Sequence, residues 1–179
     1  MGGLTQSGGI VNTIWRQTLK KVKIQKKEGK NCLILGLGGG GVVGEINKLW
    51  PNVSIVGVDI DPVIVDLGKK YLELSKHNIK IEIADAYKYV EKCVKSKAKF
   101  DLVLIDLYLG FDYPPQFEDE KFASIVKTIS NSNAVCVFNR LYSANKRKKA
   151  IVFGNKLEKQ FSLVNWYYPQ ANLMFICSN

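Results

Sequence analysis

From residue 31 onward, short runs of β-branched and other apolar residues alternate with segments whose apolar side chains recur every three or four positions. That alternation leaves few folds open. Each short run reads as a strand, each periodic segment as a helix that covers it, and the product is a parallel sheet with helices on both faces. Strands are expected at 32–35, 53–58, 79–84, 100–106 and 134–139, and helices near 41–50, 62–74, 86–97, 118–130 and 143–159. Upstream, 11–28 reads as one more amphipathic helix with Ile14, Leu19 and Val22 facing inward. Residues 161–168 and 172–177 are strand-like, but only Pro169, Gln170 and Ala171 join them. A link that short cannot carry a parallel crossover, so these two runs form an antiparallel hairpin. The expected fold is α/β: a Rossmann-like, doubly wound, mostly parallel seven-stranded sheet ending in an antiparallel hairpin. Residues 1–30 form an N-terminal segment and helix, and 31–179 the ligand-binding domain.

A chain of 179 residues with 46% apolar and 23% charged side chains buries a core of its own without metals or disulfides. The four cysteines, Cys32, Cys93, Cys136 and Cys177, have no CxxC spacing, and three lie in runs that read as buried strands, so they are expected to be reduced thiols. No metal site is expected, and the lone His77 reads as a surface residue in a turn. The opening residues lack the pattern of a signal peptide and no apolar run approaches bilayer length; the expectation is a cytoplasmic protein with no membrane partner. The net charge of +10 raises the question of nucleic acid. Only Arg16, Arg140 and Arg147 are arginine among the 26 basic residues, and the lysines concentrate at 20–30 and 146–149, where they fit solvated helix faces. Nucleic acid is therefore not the expected partner, and a homodimer is compatible with the sequence.

The residues that carry chemistry gather at strand ends. Gly36-Leu37-Gly38-Gly39-Gly40-Gly41 leaves the first strand and opens a helix, so its backbone can approach a ligand closely; the run satisfies both the dinucleotide pattern GxGxxG and the GxGxG of methyltransferases. Asp59 ends the second strand about 20 residues on, where a carboxylate accepts from both hydroxyls of an adenosine ribose. Asp85 and Asp106 end the third and fourth strands. In a doubly wound sheet these ends form one rim, so the glycine loop, Asp59, Asp85 and Asp106 should meet at one crevice. Asp61 before Pro62 reads instead as a helix cap.

The strings LILGLGGGGVVGEI, VGVDIDPVIVDLGKKYL, IEIADAYKYV and FDLVLIDLYLG resemble, in order, the segments of the spermidine synthase-like branch of the class I S-adenosylmethionine-dependent methyltransferase superfamily. The resemblance covers most of the chain. It implies a cofactor, S-adenosylmethionine or its decarboxylated form, with Gly36, Gly38 and Gly40 at the loop. Asp59 would hold the ribose and Asp85 the adenine amino group, Ile60 and Ala86 would also lie at the cofactor, and Asp106 would stand at the reacting centre. Through GGLTQSG it carries onto Gln6 a place beside the sulfonium. Two departures bear on the substrate: Gly39 stands where polyamine synthases have an acid within the loop, and Leu109 where they have the second aspartate of the catalytic segment. The expected function is methyl transfer to a small-molecule acceptor, with Asp106 and Tyr108 as candidate catalytic residues and an amine among the acceptors considered. Aminopropyl transfer with Asp112 or Glu118 in place of the missing acid, a silent cofactor-binding module, and an RNA-directed enzyme are the competing readings.

Overall fold

The computed structural model describes residues 9–110 and 112–179. Helix α1 (Gly9–Gln25) precedes β1 (Asn31–Leu35), α2 (Gly41–Leu49), β2 (Ser54–Asp59), α3 (Pro62–Tyr71), β3 (Ile79–Ile83), α4 (Ala86–Lys95), β4 (Phe100–Ile105), α5 (Glu120–Thr128), β5 (Ser130–Leu141), α6 (Arg147–Gln160), β6 (Leu163–Tyr167) and β7 (Asn172–Ser178). The seven strands form one sheet in the order β3-β2-β1-β4-β5-β7-β6. Neighbours are parallel from β3 to β5, and β7 runs antiparallel to both β5 and β6. After β1 the chain builds outward through β2 and β3, then returns to the other side of β1 with β4. That reversal opens a crevice at the carboxyl ends of β1 and β4.

Because the central strands are covered on both faces, their side chains divide into two apolar cores. Leu33, Leu35, Val103 and Ile105 face α4, α5 and α6, with Phe122, Phe138 and Phe153 filling that layer. Cys32, Ile34, Leu102 and Leu104 face α1 and α2, with Trp15, Leu19, Val43 and Ile46. The inward residues read from the first helix, Ile14, Leu19 and Val22, are buried. Helix α1 thus packs on the same sheet as the glycine loop.

Several boundaries differ from the expectation, each for a local reason. Strand β5 runs from Ser130 to Leu141, longer than 134–139, because β4 pairs with its start through a register shift and β7 pairs with its end, Leu141 opposite Asn172. The first hairpin strand begins at Leu163, two residues late, because the Phe161 N–H still bonds to the Leu157 carbonyl as the cap of α6. Helix α3 stops at Tyr71, where left-handed Glu73 (φ 61°) diverts the chain into a 3-10 turn at Leu74–Lys76. Asp119 caps α5, so that helix starts later than 118. Helix α1 ends at Gln25 rather than 28, and α6 begins at Arg147 rather than 143.

Candidate active site

The strand ends are zipped together where the chain leaves them. The N–H groups of Gly36 and Leu37 donate to the Val58 carbonyl at 2.9 and 3.1 Å, Ala84 donates to the Asp59 carbonyl at 2.8 Å, and Asp106 donates to the Leu35 carbonyl at 2.8 Å. Gly36, Gly38 and Gly40 adopt φ of 85°, 54° and 79°, the left-handed region that glycine enters without a β-carbon penalty. At Gly36 a β-carbon would also run into the Asp106 carbonyl oxygen, and at Gly40 into Leu74.

Asp59 braces this turn. Its Oδ2 accepts from the Gly38 N–H at 2.6 Å and its Oδ1 from the Asp61 N–H at 3.0 Å. Each oxygen keeps a further lone pair, so the carboxylate can still accept from two hydroxyls. Ile60, the next residue, is 59% exposed. Asp61 caps α3 through the Val63 N–H at 2.8 Å, with Pro62 in its first turn, as its sequence context implied. Asp85 caps α4 with one oxygen, accepting from the Lys88 N–H at 2.9 Å, while Ala86 is buried behind it. A shallow groove runs from Ile60 and Asp85 past Tyr87 and Gln116 to Asp119 and Lys121. In this groove Ile60 offers an apolar surface and the second oxygen of Asp85 an acceptor.

Asp106 lies directly beside Gly36, backbone against backbone. Its Oδ2 accepts from the Trp15 indole N–H at 2.9 Å and its Oδ1 from the Asn139 side-chain amide at 2.8 Å. Part of its surface remains accessible. Burial pushes its carboxyl above the ordinary aspartate value, and the hydrogen bonds from Trp15 and Asn139 pull it part of the way back. Trp15 and Asn139 were not visible as site residues in the sequence: an indole in an amphipathic helix and an amide closing a buried strand are ordinary, and their common partner is far away in the chain.

The segment after β4 folds over the other side of the sheet. The Tyr108 hydroxyl donates to the Asn139 carbonyl at 3.2 Å and accepts from the Leu141 N–H at 2.6 Å, so it fastens this segment to β5. Its ring meets Tyr113 edge-on at 5.3 Å, and burial raises its phenol above the ordinary value. Asp112 pairs with Lys146, and Glu118 with the buried guanidinium of Arg140. Gln6 lies outside the described residues. Among the described residues no helix is long and apolar enough to cross a membrane.

Several known proteins are similar to this chain. The chain is 30% identical over 160 residues to an eEF1A lysine and N-terminal methyltransferase homolog of Drosophila melanogaster, covering 84% of this chain and 23% of that protein. It is 29% identical over 145 residues to a polyamine aminopropyltransferase of Vibrio vulnificus, covering 78% of this chain and 48% of that enzyme. It therefore spans about a quarter and about half of the length of these two relatives. The crystal structure of human methyltransferase-like protein 13 in complex with SAH shares the fold, with a TM-score of 0.72 at 20% identity over 94% of this chain and 79% of that one. Residues 16–171 match the spermine/spermidine synthase domain, and the chain belongs to that family.

Proposed function

We propose that this chain is an S-adenosylmethionine-dependent methyltransferase whose acceptor is a single amine nitrogen of a small molecule. The residues at the crevice suit the cofactor: bare glycine backbone at the turn, the Asp59 carboxylate for the ribose hydroxyls, and Ile60 with Asp85 and Ala86 for the adenine. When bound, S-adenosylmethionine supplies a methyl group on a sulfonium, an electrophilic carbon whose sulfur leaves with the bonding pair. The chain's own part is to orient the acceptor beside the crevice and take its proton at Asp106. Both named relatives carry an amine acceptor in their names, which supports nitrogen as the nucleophile.

The observation that carries methyl over aminopropyl transfer is the pairing of the acids. A diamine is dicationic at neutral pH and needs more than one carboxylate to hold it. Here Asp112 is engaged by Lys146 and Glu118 by Arg140, while Gly39 and Leu109 bring no charge. Asp106 is left as the acid without a cationic partner at the reacting side. The second reading, aminopropyl transfer from decarboxylated S-adenosylmethionine, is favoured by the family match itself.

Calorimetric titration separates the two. S-adenosylmethionine should bind more tightly than its decarboxylated form, with NAD as a control that does not bind. Asp59→Ala should weaken S-adenosylmethionine by about 1.5–3 kcal/mol, the cost of hydrogen bonds to a charged group. Preference for the decarboxylated form would decide for aminopropyl transfer, and no binding of either would remove both readings.

A further inference from the structure

The two oxygens of Asp106 are met by groups that come from opposite ends of the chain. Trp15 is 2% exposed on α1, and an indole nitrogen can only donate. Asn139 is 4% exposed on β5. An ionised carboxylate only accepts, so the Asn139 amide turns its nitrogen to Asp106, and its oxygen accepts from Asn172 Nδ2 at 2.7 Å. The sheet sets this contact: Asn139 pairs with Met174 and Leu141 with Asn172, so Asn139 and Asn172 are diagonal neighbours on one face of the β5–β7 ladder.

From this geometry we infer that Trp15, Asn139 and Asn172 are positioning residues that hold Asp106 as a hydrogen-bond acceptor at both oxygens, with Asn172 acting through Asn139. The proton-accepting role of Asp106 rests on the methyl-transfer reading above; the positioning itself does not. The direction of the chain matters physically. Asn172 donates to Asn139, which donates to Asp106, so every dipole points toward the place where negative charge must sit. A side chain that merely filled this space would not need to agree in direction with its neighbour. The other groups around Asp106 do not replace these donors. Tyr108 and Tyr113 lie near enough to sense its charge, burial raises both phenols first and Asp106 adds to that, and no lysine or arginine among the described residues forms an ion pair with it. Arg140, next in sequence to Asn139, stacks at 3.8 Å over the Tyr113 ring and pairs with Glu118.

The test is the titration of Asp106 itself, read by NMR on protein labelled with ¹³C at the aspartate Cγ, with the Asp106→Asn spectrum identifying the signal. Trp15→Phe and Asn139→Leu keep the packing and each remove one donor. Each should raise the Asp106 pKa by about one pH unit or more. Asn139→Asp sets a carboxylate against Asp106 and should raise it further, because the two then compete for one proton. Asn172→Ala removes the donor to the Asn139 oxygen, weakens the polarisation of its amide, and should give a smaller rise in the same direction. An Asp106 pKa that stays within about 0.3 unit of the parent in Trp15→Phe and Asn139→Leu, with thermal melts showing both folded, would overturn the inference. So would a rise in Asn139→Leu that Asn139→Asp fails to exceed. A loss of S-adenosylmethionine affinity in step with the pKa, read by calorimetry on the same proteins, would make these residues part of the cofactor site instead. If the parent fails to bind S-adenosylmethionine at all, that result counts against the methyl-transfer reading alone, since the titration needs no cofactor.

Discussion

Gly36 carries two constraints that no other residue type meets. Its φ of 85° lies in the left-handed region, and a β-carbon there would meet the backbone carbonyl of Asp106, which cannot swing aside as a side chain could. Gly36→Ala should therefore destabilise the protein by about 2 kcal/mol or more, seen as a lower midpoint in urea, and should weaken S-adenosylmethionine in calorimetry. Asp106 gives a second expectation at this scale. Its carboxyl sits above the ordinary aspartate value of 3.8 and must be ionised to take a proton. Activity with an amine acceptor should fall on the acid side, with the limb of the kcat/KM profile that belongs to Asp106 lying above pH 3.8. Asp106→Asn is not a silent change of shape, because the new amide nitrogen would face one of two donors, Trp15 or Asn139. Its turnover must be read beside its stability.

At the scale of elements, one acid at the opposite end of the sheet ties four segments together. Asp101 at the start of β4 accepts from the Lys30 N–H at 2.8 Å, the Asn31 N–H of β1 at 3.2 Å and the Asn131 amide of β5 at 2.9 Å, with Lys26 beyond the end of α1 at 3.6 Å. Burial works to raise its pKa, but the hydrogen bonds from Lys30, Asn131 and Asn31 and the charge of Lys26 outweigh that, and the net effect is a lowered value. A carboxylate with a lowered folded pKa stabilises above its unfolded pKa, and that stability is lost as pH falls through the folded value. Asp101→Ala should cost about 2 kcal/mol at pH 7, and the gap between parent and variant in denaturant melts should narrow as pH falls below about 4. A gap that stays constant down to pH 2 would mean that Asp101 contributes packing rather than charge.

For the whole molecule, the two cores on either side of the sheet enclose all four cysteines. Burial pushes their thiols up, Cys136 to about 12, so neither access nor ionisation favours reaction. The folded protein should show none of its four thiols to Ellman's reagent at pH 8, and all four in 6 M guanidinium; one fast thiol in the native protein would mean that a core opens locally.

The alternation of strand and helix segments determined the fold, because a parallel sheet covered on both faces leaves few other ways to bury those runs. The too-short link at 169–171 likewise determined the hairpin. That Gly36, Asp59, Asp85 and Asp106 share one rim was legible because each ends or follows a strand, and strand ends of a doubly wound sheet meet there. Boundaries were less legible, since β5 takes its length from β7, a partner that comes later in the chain. The surroundings of Asp106 were decided by tertiary structure alone. Trp15, Asn139 and Asn172 belong to a helix and two strands widely separated in sequence, and nothing local distinguishes them from ordinary core and strand-end residues. The engagement of Asp112 and Glu118 was decided in the same way, since a cation's charge reaches only the neighbours that folding brings within a few ångströms, and sequence spacing does not record that distance.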